Sequence, residues 1–276
     1  MLNLKQLVCF FLLFVSLQSI NAQLGFSHEI GAIAGPVQFR SDYGLREEGE
    51  TNFGNSGFGV GIVHYINFSY RSDCNCYSTD TFFNDHFKLR NEISYNRTKL
   101  EHFGEWVADS KTSDNSERLR SQSGYAKNLD VGTQLEFFPL SIRDFQGFAY
   151  RFSPYVSLGI HYTYSSPEAT TTYGDGNVFD EENIYSFWYA DPTFLPALAA
   201  GEEREYPIDT ASFSTLSVVS SVGVRYKLTR VSDLVLDLRW QYYFSDWVDG
   251  LNHQLNSNQN NDWLVWLNFG YIYYLN

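Results

Sequence analysis

The chain has 276 residues, enough for one domain or a tight pair. Its 32 acidic against 19 basic side chains leave a formal charge of −13, which excludes nucleic acid as a partner because phosphate binding needs a basic surface. Aromatic residues make up 18 % of the chain while mean hydropathy is only −0.30. That pairing suits a membrane barrel, in which apolar residues take alternate positions and aromatic rows ring both interfaces.

Residues 1–22 read as a signal peptide: Lys5 near the start, an unbroken apolar run from Leu7 to Leu17, and Ser19-Ile20-Asn21-Ala22 as a small-residue exit. The run is too short to cross a bilayer as a helix, which needs roughly 20 residues. Cleavage after Ala22 leaves 23–276 as the barrel domain, and no Cys follows the cut to carry a lipid anchor.

From there the dominant signal has period 2. A first strand over about 28–39 is the least regular. In the next, Phe58, Val60, Ile62, Ile66 and Phe68 oppose Gly57, Gly59 and Gly61. Cys74-Asn75-Cys76 follows. Two thiols make a poor zinc site and a bridge across so short a span is strained, so a loop staple or a reduced pair is expected. Residues 87–95 set Phe87, Leu89, Ile93 and Tyr95 against Lys88, Arg90, Glu92 and Ser94. Residues 125–137 set Leu129, Val131, Leu135 and Phe137 against Asp130, Gly132, Gln134 and Glu136. Over 150–164, Tyr150, Phe152, Val156, Leu158, Ile160, Tyr162 and Tyr164 oppose Arg151, Ser153, Ser157, Gly159, His161 and Thr163. The pattern returns over 216–228 and is clearest over 234–244, where Leu234, Leu236, Leu238, Trp240, Tyr242 and Phe244 oppose Asp233, Asp237, Arg239 and Gln241. The last strand, 263–275, runs Trp263, Val265, Leu267, Phe269, Tyr271, Tyr273 and Leu275 on one face, with Asn268 and Gly270 but also Trp266 on the other.

These strands predict an all-β fold, an eight-stranded antiparallel transmembrane β-barrel. Strands of about ten residues or more suit a tilted bilayer crossing, whereas soluble proteins favour about five or six. The connections alternate: 40–56, 99–123, 166–212 and 246–262 are long and polar, 139–147 and 229–232 short, and 69–84 intermediate. Long loops outside and short turns in the periplasm are the outer-membrane arrangement, and an even strand count puts both chain ends in the periplasm. The longest loop is acidic, with Glu168, Asp175, Asp180, Glu181, Glu182, Glu202, Glu203 and Glu205, and 192–204 could form a short helix.

The inward faces predict a polar lumen of Arg90, Glu92, Asp130, Glu136, Arg151, His161, Arg225, Lys227, Asp237 and Arg239. Such a set suits a proton relay or a polar channel, but an eight-stranded interior is only wide enough for side chains to fill, and buried charges must pair. A charge-paired plug is therefore expected. His161 shares its face with Ser157 and Ser165, the residue types of a lipid hydrolase, yet each lies roughly 13 Å along the strand from it. Asp246 and Asp249 bracket Trp247; such carboxylates commonly cap turns and hold a loop over a barrel mouth. The run Asp175, Asp180, Glu181, Glu182 lacks the spacing and internal Gly of an EF-hand loop, and 252–261 is a polar, asparagine-rich loop.

Three segments carry a resemblance. His28-Glu29-Ile30-Gly31, with Gly35 and Asp42-Tyr43-Gly44, is similar to the opening of Bacteroidota outer-membrane barrels of the PorG kind. Phe152-Ser153-Pro154-Tyr155-Val156 with Gly159 resembles their mid-chain strand. Phe244-Ser245-Asp246-Trp247-Val248-Asp249 resembles their Thr/Ser-Asp-aromatic-aliphatic-Asp motif, where the seventh strand meets its loop, and is the most specific of the three. The long acidic loop and the Cys-Asn-Cys segment depart from that pattern. The resemblance implies a role in type IX secretion or gliding, as an outer-membrane anchor for a ring of periplasmic proteins. The expectation is a non-catalytic, cofactor-free barrel of the cell outer membrane whose partners are membrane lipid and those ring proteins. The main alternative is a stand-alone surface barrel that meets ligands or cells through its acidic loop, and the third is a lipid-modifying enzyme.

Overall fold

The computed structural model describes residues 26–45, 48–68, 82–188, 205–253, 255 and 260–275. The expected signal peptide over 1–22, Cys74 and Cys76, the expected helix over 192–204, and Glu202 and Glu203 lie outside the described residues.

Eight long strands form one closed sheet: β1 (Ser27–Arg40), β2 (Ser56–Asn67), β3 (Phe87–Glu101), β4 (Gln122–Phe137), β5 (Phe152–Ser165), β7 (Phe213–Thr229), β8 (Ser232–Tyr243) and β9 (Trp263–Tyr274). Each pairs antiparallel with its chain neighbour, and β1 with β9 closes the barrel. The strands run from 12 to 17 residues, as a tilted bilayer crossing requires. A short ninth strand, β6 (Glu168–Thr171), lies in the segment expected to be loop. It continues β5 past Ser166 and Pro167 and pairs with Gln122–Tyr125 of β4.

Closure gives each of the eight long strands two partners and removes their edges, while among the described residues β6 pairs with β4 alone. The β1–β9 ladder skips Gly35 and Pro36, where proline has no N–H to give.

Alternation then decides the two faces. Outward side chains form an apolar wall, interrupted on β1–β4 by His28, His64, Asn91 and Thr133: Ile62 is 63 %, Leu158 63 % and Val222 56 % exposed. A soluble monomer rarely exposes an apolar patch beyond a few hundred Å², so this wall needs lipid against it. At the end carrying the chain termini it is bordered by a ring cluster in which Phe83 stacks on Phe87 at 4.8 Å and Phe87 meets Phe137 at 5.1 Å. Tyr95, Tyr162 and Tyr164 stand exposed further along the wall, toward the opposite end.

The lumen is packed. Trp266, whose large ring breaks the alternation of β9, faces inward and is fully buried. The glycines of β2 explain how it fits: a Cβ on Gly59 would stand 2.4 Å from its ring. Arg239 lies over the same ring at 4.9 Å.

Candidate functional site

The buried chemistry falls into three tiers stacked along the barrel axis. Nearest the chain termini, Glu29 of β1 takes Lys88 of β3 and Arg225 of β7, each at 2.6 Å. Asp233 of β8 meets Arg225 at 3.5 Å and Lys227 at 3.3 Å, and accepts the Tyr274 hydroxyl at 2.6 Å. In the middle tier Arg239 grips Glu92 with two guanidinium nitrogens at 2.6 Å each, the bidentate geometry in which arginine pairs best. Arg90 stands among Glu92 at 2.7 Å, Asp237 at 3.5 Å and Glu136 at 3.6 Å. Tyr155 and Asn268 each donate to Asp237, at 2.8 and 3.1 Å.

The third tier has a different chemistry. Asp130 accepts only neutral donors: Thr163 at 2.5 Å, Gln241 at 2.9 Å and Asn96 at 3.2 Å. Among the described residues it makes no ion pair.

Arg90, Glu92, Asp130, Glu136, His161, Arg225, Asp237 and Arg239 are thus all lumenal and buried, as their parity indicated. Arg151 is not. β5 starts at Phe152, so Arg151 sits exposed on the preceding turn and donates to Tyr226 at 3.3 Å instead of joining the lumen. It has lumenal parity but stands outside the strand. Glu29, Lys88 and Asp233 complete the network, and of these only Glu29 lies on a strand whose polar face the sequence leaves unmarked. Glu29 hid because the inward face of β1 also holds Ile33, Val37 and Phe39; its opposition to Ile30, Ala32 and Ala34 was the available signal.

His161 and the serines do not assemble a nucleophile. Ser157 donates to the Gln134 amide oxygen at 3.0 Å, His161 meets the other end of that amide at 3.2 Å, and Ser165 donates to the Val248 carbonyl at 3.3 Å. Nucleophilic catalysis needs the imidazole to accept from the hydroxyl itself.

The mouth opposite the termini is closed by residues 244–253 and 260–262. Asp249 is fully buried and accepts the backbone N–H of Asp42 at 2.9 Å and of Leu251 at 2.8 Å. Asp262 accepts the N–H groups of Val248 at 3.0 Å and Asp249 at 3.2 Å. Gly250 follows with φ of 79°, a left-handed turn that favours glycine. Asp246 and Trp247 are half-buried beside this latch, and the Trp247 N–H reaches the Ser245 hydroxyl at 3.3 Å. Beside it rises a column of rings: Tyr43 on His102 at 4.9 Å, His102 against Trp188 at 5.5 Å, and Trp188 on His253 at 5.5 Å. His253 closes back on Asp42 at 3.7 Å. A cleft of about 120 Å³ borders the column, lined by Leu45, Trp106 and Tyr185 among others.

Burial, with His253 nearby, pushes His102 down from 6.5 to about 3. A histidine held neutral in the closed form takes up protons on opening, so the closure is complete above pH 6.5 and weakens as pH falls toward 3. Backbone hydrogen exchange over 42–45 and 248–253, corrected for its intrinsic rate, is expected to quicken from pH 7 to pH 4. His102→Phe should flatten that change; an unaltered profile would assign it to the mouth carboxylates or His253.

The acidic connection is folded through its own carboxylates. Asp175 accepts the Asn177 N–H at 2.9 Å and the Asn183 amide at 2.5 Å, which holds its pKa below the usual carboxylate range. Asp180 accepts the Glu182 N–H at 3.0 Å. Among the described residues no group of three His, Cys, Asp or Glu is placed to hold a metal ion.

No protein-family model matches the sequence, and no curated protein does. Among solved structures, the chain is similar to Neisserial surface protein A at 14 % identity and TM-score 0.44, with 90 % of this chain and 98 % of that one covered. It is similar to a major outer membrane protein of Thermus thermophilus at 13 % identity and TM-score 0.42, covering 91 % and 99 %. Ail, the attachment invasion locus protein of Yersinia pestis, solved with the heparin analogue sucrose octasulfate, matches at 12 % identity and TM-score 0.40, covering 91 % and 100 %. At these identities no residue role passes from those proteins to this one.

Strand length, the apolar outer wall and the paired charges inside define the class by themselves. This is an eight-stranded barrel of the outer-membrane type with a filled lumen.

Proposed function

We propose that this protein is a non-catalytic outer-membrane barrel that works as an anchor or scaffold subunit of a type IX secretion or gliding-like assembly. The observation that carries the reading is the closed interior. The lumen is occupied by paired charges and the loop-end mouth is latched through Asp249, so the chain's business falls to its outer surfaces. The assembly named rests on the resemblance of Ser245-Asp246-Trp247-Val248-Asp249 to the PorG-like motif. Its Asp249 latches the loop-end mouth, a structural role that suits an anchor. Periplasmic ring proteins would then meet the end that carries the chain termini.

The test is extraction of a tagged copy from its native membrane in mild detergent, with sizing and identification of what travels with it. The expected result is a large assembly containing periplasmic proteins. A lone barrel of monomer size would overturn the scaffold and shift attention to the loop-end surface.

A further inference from the structure

Outward positions on β3 and β4 are in register, and reading along them gives the height of each pair on the wall. Phe87 faces Phe137, Leu89 faces Leu135, Asn91 faces Thr133, Ile93 faces Val131 and Tyr95 faces Leu129. The next outward pair is Arg97 with Lys127, and the one beyond is Lys99 with Tyr125. Three cations therefore stand together on the outer wall of a chain whose formal charge is −13.

Two features make this more than scattered surface charge. Like charges directly opposed across a strand pair destabilise it, and Arg97 and Lys127 are direct partners. Both lysines are partly offset by carboxylates, Lys99 by Glu101 at 2.7 Å and Lys127 by Glu168. Arg97 is exposed and makes no hydrogen bond or ion pair among the described residues. Its guanidinium carbon stands over the Tyr125 ring, 4.0 Å from the centroid, a cation–π contact that occupies one face of the fork and none of its N–H groups.

The height fixes what those groups meet. Ten residues separate Phe87, in the aromatic border at the terminus end, from Arg97. At about 3.3 Å per residue and a tilt near 40°, that spans about 25 Å, the height of the apolar band of a membrane barrel. Arg97 and Lys127 thus sit at the far edge of the hydrocarbon, one step above the exposed Tyr95. Both are outward positions on the wall, with Lys127 reaching Glu168 of β6 and Arg97 lying over Tyr125 at the loop end of the band.

We infer that the Arg97–Lys127–Lys99 cluster is a docking site for a phosphate-bearing glycolipid headgroup of the outer leaflet. Arginine and lysine side by side suit a phosphomonoester, the first by a bidentate fork and the second as a point charge. The inference rests on the bilayer-spanning reading with the termini in the periplasm.

The test uses the full mature chain, folded into nanodiscs of neutral phosphatidylcholine. Diphosphoryl lipid A and the same lipid stripped of its phosphates are titrated in, and bound lipid is counted by native mass spectrometry after release. Wild type is expected to hold the diphosphoryl form at least about tenfold more tightly than the stripped form, less so at high salt. Arg97→Gln with Lys127→Gln should abolish that preference and leave binding of the stripped lipid unchanged; both side chains are outside the core. Glu168→Gln with Glu101→Gln removes the competing carboxylates and should tighten diphosphoryl binding several-fold. Equal binding of the two lipids by wild type, full retention by the Arg97/Lys127 variant, or displacement by inorganic phosphate at modest excess would each overturn the inference. Heat-dependent gel mobility is read separately: identical migration before and after heating would sink the barrel itself and not the headgroup site.

Discussion

Arg225→Met is expected to cost the barrel about 3–5 kcal/mol of folding stability, the usual penalty for removing one partner from a buried ion pair. The side chain is the hub of the terminus-end tier. It meets Glu29 at 2.6 Å and both Glu136 and Asp233 at 3.5 Å, and lies over the Tyr65 ring at 4.2 Å. All four neighbours are fully buried, so no water replaces the lost cation. Methionine fills much of the volume and isolates the charge as the cause. The measurement is urea unfolding in lipid vesicles, followed by tryptophan emission and by the gel shift between folded and heated forms.

The network also predicts non-additivity. Glu29→Met leaves Lys88 and Arg225 short of a carboxylate, and Lys88→Met leaves Glu29 with Arg225 alone. The double change removes a matched pair and should cost distinctly less than the two single losses combined, since groups in one network couple by 0.5 to about 3 kcal/mol. A loss under about 1 kcal/mol for Arg225→Met, or strict additivity of the Glu29 and Lys88 changes, would mean that water enters the lumen and screens these charges.

How much of this could be read from the sequence follows from what period 2 encodes. Alternation reports which face a residue takes, and it placed Glu92, Arg239 and their lumenal partners correctly because one face had to be apolar for lipid. It does not report where a strand begins. Arg151 has the parity of the lumen but precedes the first paired residue of β5, and so it lies in solvent. Nor does alternation distinguish an ion pair from a neutral cage. Asp130 reads as one more lumenal charge, yet its partners Thr163, Gln241 and Asn96 are brought together only by barrel closure across four strands. Trp266 looked like a break in the pattern of β9, and only the register of β1, β2 and β9 puts the small residue Gly59 beneath its ring. The loops carry no periodic signal. β6 and the ring column at the mouth are built from contacts between segments far apart in the chain, and composition alone marks those segments only as polar.

Asp249→Ala is the second large effect, and a local one. The carboxylate accepts two buried backbone N–H groups, on Asp42 and Leu251, which tie the β1 and β8 loops into one lid. Alanine leaves those donors without that acceptor at about 1–3 kcal/mol each, enough to open a loop whose own β-bridge, Leu251 with Ile208, lies outside the long-strand ladder. Proteolysis is therefore expected near 42–53 and 245–262 in Asp249→Ala while the urea midpoint of the barrel moves little. Asp249→Asn keeps one oxygen acceptor and should be cut at an intermediate rate. Trp247→Ala, at a half-buried position beside the latch, should change it less. A drop in global stability as large as that of Arg225→Met would instead make the latch part of the barrel's cooperative core. The same variant separates the two functional readings. If partners dock at the terminus end, an open lid leaves their recovery in detergent extracts unchanged, whereas a protein that acts through its loops loses them when the lid opens.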